Sequence, residues 1–298
     1  MVTSREVIVP GREYSTEQLK RMSTSDLRGE LESLVRAPED VLQAGELIAC
    51  MTRDKDLLYR LLCEYFSTVI ADPARAPRES TRTYLSLLPA QDVSRPWSHN
   101  MSFGISVHEA GTSESIASVT TYTVLTPLNG LVEIQKFTIP EHWNPEIFDR
   151  SIKLIEGPTS VLAPGDVLCA GPGNEAYQFR FAARMAFLKI QSEPVVPFEW
   201  SFDAKTGIAW QSVSSVQLDT NAAHTCLRAR ALRDPQLAGA LQTLLSHERH
   251  FVRWSAAQAL GATSRECGLA ALRALELDPH PHIALAANRA LERTNTPS

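Results

Sequence analysis

Residues 162–179 read LAPGDVLCAGPGNEAYQF, and this stretch decides how the middle of the chain is read. Two turn tetrapeptides, Ala163-Pro164-Gly165-Asp166 and Gly171-Pro172-Gly173-Asn174, bracket the apolar run Val167-Leu168-Cys169. Proline presets φ at a turn corner and glycine tolerates positive φ, so the run between them reads as a short strand. Outward from it the same punctuation recurs. Residues 101–109 (MSFGISVHE) alternate in polarity, Ala110-Gly111-Thr112 turns, and residues 115–125 (SIASVTTYTVL) are rich in β-branched side chains and read as one strand. Asn129-Gly130 is a hairpin signal leading into residues 131–139, and residues 151–155 read as a further strand. Downstream, residues 177–181 and 185–191 follow, then a hairpin around Asp203-Ala204-Lys205-Thr206-Gly207. Many short, evenly spaced strands with Gly/Pro turns predict a barrel or sandwich.

Helical signals flank this β region. Ser23-Thr24-Ser25-Asp26 precedes Leu31, Leu34 and Val35 as a capped amphipathic helix, a break falls at Ala37-Pro38, and Val41, Leu42, Leu47, Ile48 and Met51 resume helical spacing. Residues 56–66 form a dense apolar run. These helices are expected to pack on the barrel. Beyond Thr220, residues 247–260 (HERHFVRWSAAQAL) align with 278–291 (DPHPHIALAANRAL) at an offset of 31. Val252 matches Ile283, Ala256 matches Ala287, and Leu260 matches Leu291. Such a period, with small residues at tight contacts, signals stacked helical pairs. The expected organisation is α+β and multidomain: a helical region over 1–95, a barrel over 96–218 and a helical repeat over 219–298.

Composition narrows the function classes. The 298 residues are 44% hydrophobic and 21% charged, as in an ordinary globular protein. No apolar run is long enough to span a bilayer, and the opening residues lack a secretory signal's pattern, so no membrane partner and a cytoplasmic location are expected. Five widely spaced cysteines suggest free thiols in a reducing compartment, not a disulfide framework or zinc site. A net charge of −5 opposes a general nucleic-acid binder. Arg249, Arg253, Arg289 and Arg293 could line one face, but a solvated helix face is the expectation. No GxSxG, P-loop or HExxH motif is present, and Cys169 on an apolar strand reads as a core thiol.

The 162–179 stretch resembles the turn–strand–turn of the cupin superfamily, and Gly111 followed by Thr121-Tyr122-Thr123-Val124-Leu125 and Gly130-Leu131-Val132-Glu133 is similar to the strand pair of its first motif. The preceding helices are similar to the cysteine-dioxygenase-like branch. The C-terminal segment resembles HEAT-like repeats. These resemblances imply N-terminal helices on a double-stranded β-helix barrel, followed by a HEAT-like α-helical repeat.

The cupin resemblance also implies metal ligands, and here the matching positions are alkyl. Counted from Gly111 the two imidazole positions fall at Ala117 and Val119; counted from Gly173 the last falls at Ala176. Alkyl groups cannot bind a reactive metal, so no metal and no cofactor are expected. An unconventional set of His99, His108 and Glu114 stays open. With cupin parity the lumen would receive Thr121, Thr123, Gln178 and Arg180, with His108 and Tyr177 as further ligand-binding or acid–base candidates. An inward Arg180 needs a carboxylate, from Glu133 or from a ligand.

The reading therefore weighs toward a non-catalytic, metal-free binding module. It would take a small anionic or mixed-polarity ligand in the barrel and a protein partner on the repeat, with a homodimer as an option. The alternative is a cupin-type enzyme, either a dioxygenase or isomerase with atypical metal ligands or a metal-independent one.

Overall fold

The structure is a computed structural model that describes residue 14 and residues 16–53, 55–71, 84–86 and 101–295. Its contacts divide the chain into two units. One comprises Met1–Trp143 with Asp149–Val213, the other Asn144–Phe148 with Ser214–Ser298.

The first unit opens with helices α1 (Thr16–Lys20) and α2 (Thr24–Leu34), a 3-10 segment (Pro38–Ala44), α3 (Gly45–Arg53) and α4 (Lys55–Ala71). The Ser23 signal acts as read: its hydroxyl accepts from the Asp26 amide, and the Asp26 carboxylate accepts from the Ser23 amide. This reciprocal bonding satisfies amides that the first turn leaves without helical partners. Leu27, Leu31, Val41, Leu47, Ile48 and Met51 are buried in one core with Phe103, Val124, Leu188 and Ile190 of the strands. Helices and strands thus share a single core.

Twelve strands follow among the described residues: β1 (Tyr84–Ser86), β2 (Met101–His108), β3 (Gly111–Thr112), β4 (Ser115–Ser118), β5 (Thr123–Pro127), β6 (Val132–Thr138), β7 (Ile155–Leu162), β8 (Leu168–Ala170), β9 (Glu175–Phe181), β10 (Met185–Ser192), β11 (Phe198–Asp203) and β12 (Ala209–Ser214). One sheet runs β1-β2-β10-β5-β8. The other runs β12-β11-β4-β9-β6-β7, with β3 also on β9. The antiparallel pairs are nested: β4 with β11, β5 with β10, β6 with β9. First-with-last nesting across two sheets is the order of a jelly roll, which encloses an interior between the sheets.

Three strand expectations are corrected. Residues 115–125 form two strands, because the chain leaves the second sheet after Ser118 and joins the first at Thr123. The Asn129-Gly130 turn forms, with Gly130 at φ 67°, but it joins strands of different sheets. Asn129 instead ties it to the start of β10, its amide donating to the Arg184 carbonyl and its carbonyl accepting from the Ala186 amide. Of residues 151–155, only Lys153 makes an isolated bridge, to Ile208, and the strand starts at Ile155.

The second unit carries helices α5 (Gln217–Leu232), α6 (Ala238–Thr243), α7 (His250–Thr263), α8 (Arg265–Leu275) and α9 (Pro281–Asn295). Helices α7 and α9 start 31 residues apart, as the alignment requires. Val252, Ala256 and Leu260 are buried, and so are their counterparts Ile283, Ala287 and Leu291. Arg253 is internal: it makes two bonds to Asp278 at 2.7 and 2.6 Å and donates to the carbonyls of His247 and Glu248. Arg249 bonds Asp219 at 3.1 Å. Two of the four arginines considered as a basic face are thus committed to internal ion pairs.

Backbone approach between α7 and α8 rests on two glycines. A Cβ placed on Gly268 would stand 2.5 Å from the Gly261 Cα, a distance only backbone movement relieves. Gly268→Ala is therefore expected to destabilise this unit by about 1–3 kcal/mol, the usual cost of overpacking. Gly239→Ala, on α6 with open space around the added methyl, is expected to be neutral or to stabilise by up to about 1 kcal/mol. Thermal melts of both variants check the contrast.

The His250 ring stacks on His280 with centroids 3.7 Å apart. Burial, then the charges of His280 and Arg253, push His250 down to about 4, against an opposing pull from Asp278. The folded state thus favours neutral imidazole. Its contribution to stability is complete above the ordinary value near 6.5 and is lost as pH falls from there toward 4. The melting temperature of the wild type is expected to fall across that window, and His250→Phe is expected to flatten the decline.

Candidate functional site

Strand β10 builds one wall of the interior. Its alternation puts Leu188 and Ile190 into the helix-side core and leaves Phe187, Lys189 and Gln191 on the opposite face. In register, Phe187 lies between Ser106 and Pro127, Lys189 between Gly104 and Leu125, and Gln191 between Ser102 and Thr123. The facing sheet contributes Ala117 opposite Tyr177, with Phe179 and Phe181 further along β9. Between the sheets is a cavity of about 400 Å³, within the range of small-molecule sites. A wider space of about 710 Å³, which adds Glu109 and Arg184, shares His108, Ser106, Ser113, Phe181, Lys189 and Gln191 with it.

The lining is mostly aromatic and aliphatic, with a few polar groups. Phe187 meets Phe181 and Phe179 at ring-centroid distances of 5.7 and 6.3 Å. His108 lies 5.6 Å from Phe181 and 5.5 Å from Phe187 by centroids, and its Nε2 is 3.2 Å from the Ser106 hydroxyl. Burial, then the charge of Lys189, lowers the His108 imidazole from its usual value. Burial alone lowers the Lys189 ammonium. A desolvated amine and a neutral imidazole thus face one cavity, each biased toward its uncharged form. Tyr177 donates to Glu175 at 2.6 Å, and Lys136 pairs with Glu175 at 2.7 Å. Although burial raises the Glu175 carboxyl, these two partners together hold it below its ordinary value.

Of the residues singled out from sequence, His108, Thr123 and Tyr177 line the cavity. Thr121, Gln178 and Arg180 do not. Thr121 bonds the Thr123 hydroxyl at 2.8 Å. Gln178 is buried on the opposite face of β9 and donates to the Ser113 carbonyl. Arg180 is more than half exposed and pairs with Glu133 at 3.0 Å. The parity of β9 explains the placement of Gln178 and Arg180, since Tyr177, Phe179 and Phe181 take the inward face and exclude their neighbours.

The same parity tests the metal positions. Ala117 and Val119 line the cavity, whereas Ala176 is buried on the other face and Tyr177 stands in its place. His108 alone among the lining residues is of a type that commonly binds transition metals. Among the described residues no group of three His, Cys, Asp or Glu converges. His99, proposed with His108 and Glu114, lies outside the described residues. Among the described residues, the donor set facing the lumen therefore does not fit a transition-metal ion. Cys169 faces α3, its Sγ 3.5 Å from a Cβ built on Gly45, and burial raises its thiol.

Lys189, Gln191, Ser106, Ser113 and Ser115 were not anticipated. For Lys189 a signal existed: it is the one charge in Met185–Gln191 (MAFLKIQ), a run apolar at both parities. A lysine in such a run sits in a wall with buried faces on both sides.

No family model matches the sequence, and the search of curated proteins found no match. Among solved structures, it is similar to hydroquinone 1,2-dioxygenase from Sphingomonas sp. TTNP3 (15% identity, 41% of this chain and 71% of that one, TM-score 0.27). It is also similar to ectoine synthase from P. lautus (17%, 43% and 76%, TM-score 0.25). A third is a Klebsiella pneumoniae protein with a double-stranded β-helix domain (12%, 41% and 81%, TM-score 0.24). The structural neighbours include cupin-superfamily proteins. No helix of the described residues is long and apolar enough to cross a membrane.

Proposed function

We propose that the barrel is a metal-independent small-molecule-binding module, whose lumen takes an organic anion with a planar apolar body, and that the helical unit is a HEAT-like protein-interaction module. One observation carries the first part: a cavity of about 400 Å³ lined by Lys189 and by the aromatic side chains of Phe179, Phe181 and Phe187. An acid group would be drawn toward the Lys189 ammonium, since attraction between opposite charges strengthens where water is excluded. The body would lie among the rings, where edge and face contacts are favourable. Ser106, Thr123 and Gln191 supply hydrogen bonds that set orientation.

The 31-residue offset supports the HEAT-like reading of the second unit, because stacked repeats leave an extended surface for partners. Exposed Leu227 and Leu232 on α5 and Leu285 on α9 are available to such a partner. The unpaired thiols Cys50 and Cys226, both buried, suit a reducing compartment, and we place the protein in the cytoplasm.

Titration calorimetry of the whole chain with benzoate and with benzamide tests the lumen. Benzoate is expected to bind and benzamide to bind at least about tenfold more weakly, the loss of one charge-assisted contact. Lys189→Gln is expected to abolish that preference. Equal affinity for the two ligands, or an unchanged preference in the variant, would remove the anion reading.

A further inference from the structure

We propose that His108 takes up a proton as the lumen takes up an organic acid, so that carboxylate and proton bind together; this deepens, and rests on, the reading of the lumen as an anion site. His108 closes strand β2 and lines both the cavity of about 400 Å³ and the wider space of about 710 Å³. A ligand reaching from one into the other therefore lies against its ring. Phe181 and Phe187 flank that ring at centroid distances of 5.6 and 5.5 Å, neighbours that do little to solvate an imidazolium. Such surroundings favour the neutral ring, and the depressed value of His108 agrees with them. A carboxylate entering the same space reverses the balance, because an opposite charge within about 4–6 Å favours the protonated form.

The ring's hydrogen-bond partner suits a change of state. Its Nε2 lies 3.2 Å from the hydroxyl of Ser106, two residues back on the same face of β2. A hydroxyl both donates and accepts. It donates to Nε2 when that nitrogen carries the lone pair, and after rotation accepts from Nε2 when it carries the proton. A carboxylate there would favour the charged ring, and an ammonium the neutral one. Other ionisable groups surround the ring. Lys189 on β10 faces the same cavity, and its charge opposes protonation of the imidazole. An anion bound near both groups offsets that opposition. Tyr177 on β9 donates to Glu175. Arg184, between β9 and β10, lies 3.4 Å from Glu109, and both are mostly exposed, where water screens their charges. The gain in ligand affinity is complete when the ring is charged and is lost as rising pH discharges it in the complex. The acid therefore binds more tightly below the ordinary imidazole range than above it.

Two measurements on the whole chain test this, with benzoate as the probe. Calorimetric titration in phosphate and in Tris at one pH near the ordinary imidazole value counts the protons taken up, because the two buffers release a proton with different heats. A net uptake approaching one proton per benzoate is expected. Nuclear magnetic resonance of the histidine ring C–H signals, followed across pH with and without benzoate, locates that proton. The sequence has 8 histidines, and His108→Gln identifies the signal by its loss. Saturating benzoate is expected to make His108 hold its proton at least about tenfold more tightly, and by reciprocity benzoate to bind at least about tenfold more tightly at low than at high pH. Benzoate binding without proton uptake, or with uptake while the His108 midpoint stays in place, would overturn the coupling and leave the anion site standing. No benzoate binding at any pH would take down both.

Discussion

The alternation of β10 is the constraint on which the rest of the first unit depends. Leu188 and Ile190 are fully buried in the core that the strands share with the N-terminal helices. A strand has only two faces, so fixing these two residues fixes Phe187, Lys189 and Gln191 on the lumen side. Slipping the register by one residue would expel two core side chains and draw a charge into the helix interface. The position of the one lysine in the wall is therefore set by the packing of residues that never touch the cavity.

The positions at which the sequence reading counted metal ligands are taken by other side chains. Where imidazoles would converge, Ala117 and Val119 present methyl groups, and the remaining place holds a tyrosine engaged with Glu175. Four of the lumen's polar groups, His108, Ser106, Lys189 and Gln191, lie along β2 and β10.

In the second unit the tight elements are backbone contact and an internal ion pair. Gly261 and Gly268 bring α7 and α8 closer than side chains would permit. Arg253, bonded to Asp278 and to two carbonyls, fastens the start of α7 to the turn before α9. Burial raises the Asp278 carboxyl, but bonds from Arg253 and the His280 amide outweigh it and hold the group ionised. Removing either partner would strand a charge away from water.

Local chemistry was legible in the sequence wherever it acts over a few residues. The Ser23 cap, the Pro/Gly turns around β8, the turn at Asn129-Gly130 and the 31-residue helical offset all depend on neighbours in the chain, and each is found in the structure. The alkyl character at Ala117 and Val119 was readable for the same reason, since parity on one short strand is a local count. What only the tertiary structure decided was pairing between distant segments. It split residues 115–125 between two sheets, turned Arg180 out to Glu133, sent Gln178 behind the wall and brought Lys189 to its centre. Those outcomes follow from which strands lie side by side, and strand pairing is set by the burial of whole faces, a sum over residues far apart in the chain that no single stretch encodes.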